Sequence, residues 1–296
     1  MDRVVTLIVK PGDRASLLKA GLEAERIIAA AGAQVGERVF LADDGALDLP
    51  FTGGDPEELS VALGVALAAL PVDHAVQRQD ARRARLLLAD MDSTMITVEC
   101  IDELADFAGI KDAVARVTEA AMRGELDFEG ALTERVALLA GMDATVIDRC
   151  LKERVRLTSG ARPMMDRMVQ EGVLTALVSG GFTAFTDRVA ADLGFHITRA
   201  NRLDIQNGKL TGRVIPPICG AETKLETLRT LKGDHLAPGE LVMAVGDGAN
   251  DAAMLEAADM GVAFHAKPRA KEAANVVIDH GDLTALLYLQ GLSPEH

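Results

Sequence analysis

Apolar and polar positions alternate with two different periods over the first 80 residues. Apolar runs predict strands at 3–9, 34–41, 45–50 and 72–78, and a spacing of three to four residues predicts helices at 15–31 and 56–70. Residues 42–45 form a predicted hairpin turn. This order is that of ferredoxin-like (βαββαβ) folds. A polar run from Gln77 to Arg85 then predicts a linker, which divides the chain into domains at 1–80 and 81–296.

Three later apolar runs end on side chains that suit catalysis better than they suit strands. The runs cover 86–89, 174–178 and 241–245, and the residues that follow them include Asp90 and Asp92, Ser179, and Asp247. Burying a carboxylate is costly unless a cation or hydrogen-bond donors compensate it. Because open α/β sheets bind ligands at the carboxyl ends of their parallel strands, we expect these side chains to surround one crevice. The predicted fold class of 81–296 is α/β, with a Rossmann-like parallel sheet.

Four carboxylates would share this crevice, namely Asp90, Asp92, Asp247 and Asp251. They would repel one another strongly without a cation. Mg²⁺ suits such a site, because it takes a few carboxylates and keeps water and phosphate oxygens as its other ligands. Each segment also has a plainer interpretation. The first is then an acidic turn that caps the next helix, and the second a Gly-rich turn whose side chains serve the backbone.

Two further segments carry groups that suit an anionic ligand. The Ser179 hydroxyl and the Gly180 amide are donors that can approach a phosphate closely. Lys224 begins a helical pattern that runs to residue 231. A single lysine is usually solvated surface, but a phosphate site that holds several carboxylates needs a fixed positive side chain beside the metal.

The spacing between the first two strand ends predicts an inserted segment. Asp90 and Ser179 are 89 residues apart, whereas a βαβ unit needs only about 30 residues or slightly more. Residues 100–160 show helical spacing interrupted at glycines. We therefore predict a small helical cap at about 98–160, which would cover the crevice and exclude water.

Taken in order, these motifs resemble those of the haloacid dehalogenase superfamily of phosphohydrolases. The resemblance rests on Asp90-Met-Asp-Ser-Thr94, Ser179-Gly180, Lys224 and Gly246-Asp-Gly-Ala-Asn-Asp251. Within the superfamily, Val98-Glu-Cys-Ile-Asp-Glu103, the segment 122–128 and the segment 128–135 are similar to phosphoserine phosphatases, over roughly residues 84–280. The amino-terminal order is similar to the ACT domains that sense amino acids, with a weak sequence signal. The implied activity is Mg²⁺-dependent hydrolysis of O-phosphoserine to serine and phosphate, the last step of serine biosynthesis.

The resemblance also implies a role for each residue at the phosphoryl end. Asp90 is the nucleophile that forms an aspartyl-phosphate, and Asp92 donates the proton to the leaving group. The side chains of Asp90 and Asp247 and the backbone carbonyl of Asp92 are the implied Mg²⁺ ligands. The residues that hold the phosphoryl group or support the metal are Ser179, Gly180, Lys224, Asn250 and Asp251.

The remaining assignments concern the amino-acid end of the substrate. Glu99 is expected to take the ammonium group, and Arg135 the carboxylate, which its planar fork can bind bidentately. Met122 and Phe128 would close the apolar side of the pocket. Each of the four has a plainer interpretation: a helix cap for Glu99, a solvated surface residue for Arg135, and ordinary core for Met122 and Phe128.

Two other functions remain open at this point. One is an enzyme that acts on phosphohomoserine or another small phosphorylated amino acid, because one methylene changes binding by only ~1 to 3 kcal/mol. The other is a non-catalytic amino-acid sensor. The amino-terminal domain is either a structural or dimerisation module, in keeping with a homodimer, or a site where serine binds as an effector.

Composition excludes several classes of protein. A net charge of −14 argues against nucleic acid and anionic membranes as partners, and one Tyr with no Trp leaves few stacking platforms. The longest apolar stretch, 61–72, is well short of the ~20 residues that span a bilayer. Cys100, Cys150 and Cys219 show no metal-ligand spacing, so we expect reduced thiols in a cytoplasmic protein.

Overall fold

The computed structural model describes residues 2–123 and 125–294, and the side chain of Met122 lies outside the described part. The amino-terminal elements are β1 (Arg3–Val9), α1 (Arg14–Ala30), β2 (Gln34–Val35), β3 (Val39–Ala42), β4 (Ala46–Thr52), α2 (Pro56–Leu67) and β5 (Val72–Arg78). Their antiparallel sheet has the order β2-β4-β1-β5, and β3 also pairs with β4. The predicted βαββαβ fold is confirmed.

The strand predicted at 34–41 is divided into β2 and β3. Both pieces pair with β4, β2 opposite Phe51 and Thr52 and β3 opposite residues 46–48. The break falls near Pro50, which has no N–H to donate to a neighbouring strand. The Pro50 carbonyl still accepts the Gly36 amide at 2.7 Å.

Local signals in the sequence account for the two amino-terminal helices. The Asp13 side chain accepts the Ser16 amide at the start of α1, and Asp55 accepts the amides of residues 57 and 58 at the start of α2. Pro56 occupies the first turn of α2, where the missing N–H costs nothing. Both helices bury one apolar face against the same face of the sheet.

The second sheet begins with β6 (Ala84–Ala89), and a helical insert follows it. The insert contains α3 (Cys100–Phe107), α4 (Lys111–Met122), α5 (Phe128–Ala137) and α6 (Thr145–Glu153), and α7 (Ala161–Gln170) leads to the next strand. The first four helices lie within the predicted cap, 98–160.

The rest of the chain completes a seven-stranded sheet. Its elements are β7 (Leu174–Phe182), α8 (Thr183–Leu193), β8 (Ile197–Gln206), β9 (Lys209–Ile215), α9 (Ala221–His235), β10 (Leu241–Gly246), α10 (Ala252–Ala257), β11 (Met260–Phe264), α11 (Pro268–Ala273), β12 (Val276–Ile278) and α12 (Ala285–Tyr288). The strand order is β12-β11-β10-β6-β7-β8-β9, parallel except for the β8–β9 hairpin. The predicted parallel α/β sheet is confirmed.

One face of each sheet contributes to a shared apolar cluster, so the segment between the two sheets is more than a linker. Ile8, Ala46 and Ala75 of the first sheet are buried in the same cluster as the residues of α12. Arg82, which lies in the predicted linker, is 8% exposed, and its guanidinium contacts the Asp48 carboxylate at 2.6 Å. In the part of the chain that the structure describes, no helix is both long and apolar enough to cross a bilayer.

Candidate active site

The strand order brings the sequence-predicted groups to one edge of the parallel sheet. β6 lies between β10 and β7, so three side chains are neighbours: Asp90 directly after β6, Asp247 directly after β10, and Ser179 near the end of β7. They line a cavity of about 200 Å³. Its walls are Asp90, Asp92, Glu99, Ile101, Phe128, Leu132, Arg135, Ser179, Gly180, Gly181, Phe182, Asp247, Asn250 and Lys267. The volume is below the ~300 to 1,000 Å³ typical of pockets for drug-sized ligands, so the cavity suits a small metabolite.

Lys224 lies beneath this cavity and joins two of the carboxylates. Its Nζ is 2.6 Å from Asp90 Oδ1 and 2.6 Å from Asp251 Oδ1, and the side chain is completely buried. Burial lowers the pKa of Lys224, but the charges of Asp90 and Asp251 raise it by more, so the ammonium persists. The plainer interpretation of Lys224 as a solvated surface residue is therefore wrong.

Asp251 organises the turn after β10 rather than pointing into the cavity. Its Oδ2 accepts the amides of Asp247 and Gly248, at 3.2 and 2.9 Å, while Lys224 holds Oδ1. Gly246 is required here, because a Cβ at that position would overlap the Asp251 carboxylate. Asp251 thus binds backbone amides of the turn. The plainer interpretation gave this role to Asp247 and Asn250.

Asp92 stands in an irregular turn, Met91–Met95, in which Ser93 adopts a left-handed φ of 56°. The turn aims Asp92 at the cavity, where its Oδ1 accepts the Cys100 amide at 3.2 Å. Burial, followed by the charge of Glu99, raises the pKa of Asp92 to about 7. A carboxyl group with this pKa can both donate and accept a proton near neutral pH, as a general acid and base must.

Glu99 immediately precedes α3, but its side chain does not cap that helix. Instead, Glu99 Oε1 accepts the Ser93 hydroxyl at 2.7 Å, and the residue lines the cavity. Neither Ser93 nor Thr94 caps a helix, since α3 begins only at Cys100. The interpretation of 90–94 as a capping turn is therefore wrong, apart from the single bond from the Cys100 amide to Asp92.

Arg135 faces the cavity from α5. Its Nε donates to the Ala131 carbonyl at 3.1 Å, and none of the ion pairs found among the described residues involves its guanidinium, which lines the cavity. Burial lowers the pKa of Arg135, while Asp102 and Glu99 raise it. The rest of its planar fork is thus available to a ligand.

Phe128 closes the cavity from the first turn of α5. Its ring lies so close to Gly180 and Gly220 that a Cβ at either glycine would stand 3.1 Å from it. The Phe128 prediction agrees with this position, whereas the one for Met122 falls on a side chain outside the described residues.

Three of the carboxylates form a group with the chemistry of a metal site. Single oxygens of Asp90, Asp247 and Asp251 all lie within 4.8 Å of one another. Burial raises the pKa of Asp90, with the charge of Asp251 adding to the effect and Lys224 opposing it, and burial also raises that of Asp247. A further cation would relieve this excess of buried negative charge. Because both oxygens of Asp251 already accept hydrogen bonds, Asp90 and Asp247 are the better ligands of the three.

Sequence reasoning missed several residues of this site. Lys267 follows β11, the next strand along, and its Nζ is 3.1 Å from Asp247 Oδ2. Its position shortly after a strand is a weak signal, because the sequence does not show that β11 lies beside β10. Asn201 is completely buried, donates to the carbonyls of Gly180 and Cys219 at 2.9 and 3.0 Å, and accepts the Cys219 amide at 2.7 Å. It ties the end of β7 to the segment before α9, and the sequence carries no signal for this contact.

Comparison with known proteins agrees with this geometry. The sequence family of haloacid dehalogenase-like hydrolases matches residues 87–256. The chain belongs to that family. A crystal structure of a haloacid dehalogenase family hydrolase from Salmonella enterica serovar Typhi superposes with a TM-score of 0.84 at 28% identity, over 97% of this chain and 98% of that one.

Two curated members of the family are similar in sequence. A phosphoserine phosphatase from Streptomyces coelicolor is 45% identical over 84% of this chain, and one from Albidiferax ferrireducens is 47% identical over 69%. The match spans 61% of the Streptomyces protein and 89% of the Albidiferax protein. The chain thus accounts for less than two thirds of the first of these hydrolases.

Proposed function

We propose that this hydrolase converts O-phosphoserine to serine and inorganic phosphate through a covalent phosphoryl group on Asp90. The observation that carries the proposal is one cavity with two chemically different ends. Asp90, Asp92, Ser179 and Lys224 supply phosphoryl-transfer chemistry at its floor. Glu99 and Arg135 are opposite charges on the cap side, which match the ammonium and the carboxylate of an amino acid. The names of the two curated relatives support the same substrate.

The reaction then proceeds in two displacements. Asp90 attacks phosphorus in line, so that a bond from its carboxylate to phosphorus forms as the bond to the seryl oxygen breaks. Asp92 in its protonated form gives its proton to that oxygen, and serine leaves. Asp92, now a carboxylate, takes a proton from the water that attacks the aspartyl-phosphate. Phosphate is released and Asp92 is protonated again, ready for the next turnover.

The other residues of the floor hold the phosphoryl oxygens. The Ser179 hydroxyl, the Gly180 amide and Asn250 are donors at the cavity wall. Lys224 contributes a fixed positive charge and favours the ionised, nucleophilic form of Asp90. Asp251 acts indirectly, since it holds Lys224 and the backbone of the turn after β10.

We further propose Mg²⁺ as the cofactor, with the side chains of Asp90 and Asp247 and the carbonyl of Asp92 as ligands. The donor set fits, since hard divalent cations prefer carboxylate and carbonyl oxygens. When bound, the ion would neutralise charge on the phosphoryl oxygens. Removal of divalent ions with a chelator should abolish turnover, and added Mg²⁺ should restore it.

The decisive experiment is phosphate release from three substrates in the presence of Mg²⁺: O-phosphoserine, O-phosphohomoserine and acetyl phosphate. We expect the highest kcat/KM for phosphoserine. A higher kcat/KM for phosphohomoserine would reassign the substrate, and no release from any of them would support a non-catalytic sensor.

The remaining predictions concern the whole protein. We propose a boundary near residue 80 between an ACT-like domain and the catalytic domain, serine as an effector of the former, and a homodimer as the assembly. Serine inhibition kinetics and the mass in solution test the last two. A cytoplasmic location stays a prediction.

A further inference from the structure

Asp73, on β5, acts as an anion built into the contact between the two sheets. Its carboxylate is 5% exposed and accepts three successive backbone amides. The distances are 2.9 Å from Asp279 to Oδ1, 3.0 Å from His280 to Oδ2 and 2.8 Å from Gly281 to Oδ2. Converging backbone amides form a concave site for an anion, and their bonds to a carboxylate are stronger than those to a neutral group. The amino-terminal domain therefore fixes the backbone of 279–281.

The same turn is also held by close packing. A Cβ at Gly281 would stand 2.8 Å from the Ile8 Cγ2 atom on β1, so the turn sits directly on the first sheet. The Gly281 position is thus set from two sides, by Asp73 and by Ile8. Movement of the amino-terminal sheet would have to move this turn with it.

The segment 279–281 in turn fixes the position of His265, which lies just beyond β11. The His265 ring nitrogen Nε2 lies 2.9 Å from the Gly281 carbonyl, and since a carbonyl can only accept, Nε2 carries the hydrogen. The His265 amide donates to the Ile278 carbonyl at 2.8 Å. His265 has a left-handed φ of 45°, which few residues other than glycine, asparagine, aspartate and histidine adopt readily. These two bonds offset that cost and fix the direction in which the chain leaves β11.

That direction decides where Lys267 lies. The Lys267 amide donates to the Asp247 carbonyl at 2.8 Å, and its Nζ approaches Asp247 Oδ2 at 3.1 Å. Lys267 lines the cavity, although its side chain is 65% exposed and so is held mainly through its backbone. The path from Asp73 to the cavity is therefore continuous through the turn at 279–281 and His265.

We propose that the amino-terminal domain holds Lys267 over Asp247 through Asp73, which makes Asp73 a positioning residue of the active site. The expected effect on phosphoserine turnover rests on the proposed function, whereas the expected effect on the backbone of 265–267 does not. The amino-terminal domain then has a direct part in shaping the site, whether or not it binds an effector.

The structural test is amide hydrogen exchange of the full-length Asp73→Asn variant. Asparagine has the same shape, but its NH₂ group would face backbone donors. Asp55→Ala is the matched control, because it removes a helix cap in the same domain away from the contact. We expect faster exchange in peptides that cover 265–267 and 279–281 in Asp73→Asn only. Unchanged exchange at 265–267 in Asp73→Asn would overturn the proposal.

The kinetic test is a double-mutant cycle with Lys267→Met. We expect Asp73→Asn to lower kcat/KM for phosphoserine by about tenfold, within the range for coupled residues, and to have little further effect when Lys267 is already Met. An equal loss in both backgrounds would assign Asp73 a general structural role and refute the path. If the wild type does not hydrolyse phosphoserine, the proposed function fails, and hydrogen exchange still decides this inference.

His265→Asn provides a second variant should Asp73→Asn fold poorly. Asparagine tolerates the left-handed backbone, but it is too short to place a donor where Nε2 lies. We expect the same faster exchange at 265–267. We also expect the same fall in kcat/KM for phosphoserine, with little further fall when Lys267 is already Met. Wild-type exchange and kinetics in this variant would remove His265 from the path and refute it.

Discussion

Replacement of Lys224 by methionine tests the electrostatics of the site through stability alone. The ammonium is the shared partner of Asp90 and Asp251, with both distances at 2.6 Å, and none of its side chain is exposed. Methionine keeps much of the length and apolar stem of lysine. The variant therefore removes the charge while leaving two carboxylates buried without it.

The expected cost follows from that arrangement. Removal of one partner from a buried ion pair typically costs ~3 to 5 kcal/mol, because the remaining charge stays desolvated. For domains of 150–250 residues, 1 kcal/mol corresponds to roughly 2 to 4 °C in Tm, so we expect Lys224→Met to lower Tm by roughly 6 to 20 °C. The measurement is thermal unfolding by circular dichroism at pH 7.5, without divalent ions.

A control on the same helix separates this effect from loss of any lysine. Lys232 pairs with Asp259 at 2.8 Å, but its side chain is 41% exposed, and exposed pairs are worth ~0 to 1 kcal/mol. We expect Lys232→Met to unfold within a few degrees of the wild type. If Lys224→Met does the same, the buried charges are not balanced by Lys224 and the reasoning fails.

The pH dependence of the same variant has a definite sign. Burial already raises the pKa of Asp90 in the folded protein, and loss of Lys224 removes the charge that opposes this rise. Folded Lys224→Met then binds a proton at a higher pH than the unfolded chain does, so its stability increases as pH falls. The difference in Tm from the wild type should shrink between pH 8 and pH 5.

Three predictions concern turnover. Asp90→Asn should reduce phosphoserine hydrolysis by orders of magnitude while the substrate still binds. Isothermal titration calorimetry should show that beryllium fluoride binds the wild type but not Asp90→Asn. Full activity of Asp90→Asn would contradict the covalent mechanism. Arg135→Ala should lower the ratio of kcat/KM for phosphoserine to kcat/KM for acetyl phosphate by an amount equivalent to roughly 2 to 5 kcal/mol, because only phosphoserine has a carboxylate to pair with Arg135. An unchanged ratio would show that Arg135 does not bind the substrate. Since burial and Glu99 raise the pKa of Asp92 to about 7, kcat/KM for phosphoserine should fall above that pH as the acid loses its proton. Acetyl phosphate, whose leaving group needs no proton, should not show this fall, and identical pH profiles for the two substrates would reassign the acid.

The site residues that the sequence predicts best are those at or near the ends of apolar strands. Asp90, Ser179 and Asp247 each follow or end an apolar run, and parallel pairing alone brings them together. Lys267 was not predicted as a site residue, because a single lysine after a short strand resembles an ordinary surface residue. Its pairing with Asp247 depends on the order of β10 and β11, which spacing along the chain does not show.

Arg82 illustrates a different kind of omission. Its neighbours Arg83 and Arg85 are more than half exposed, and a run of such residues is typical of a linker. Arg82 is instead buried by a contact with Asp48, which lies 34 residues earlier. Pairing over such a separation depends on how the two sheets meet, and neither the charge pattern nor the hydrophobic period carries that information.

The shared core around α12 has a consequence for synthesis on the ribosome. β1, β4 and β5 emerge first, but the apolar face that contains Ile8, Ala46 and Ala75 is covered by residues of α12 near the opposite end of the chain. About 200 residues separate the two, which at ~5 to 20 residues per second is a delay of roughly 10 to 40 s. During that interval the nascent amino-terminal domain presents an uncovered sheet face to the cell. Translation rate and chaperone supply should therefore influence the yield of this protein more than they would influence that of a chain whose first domain closes on itself.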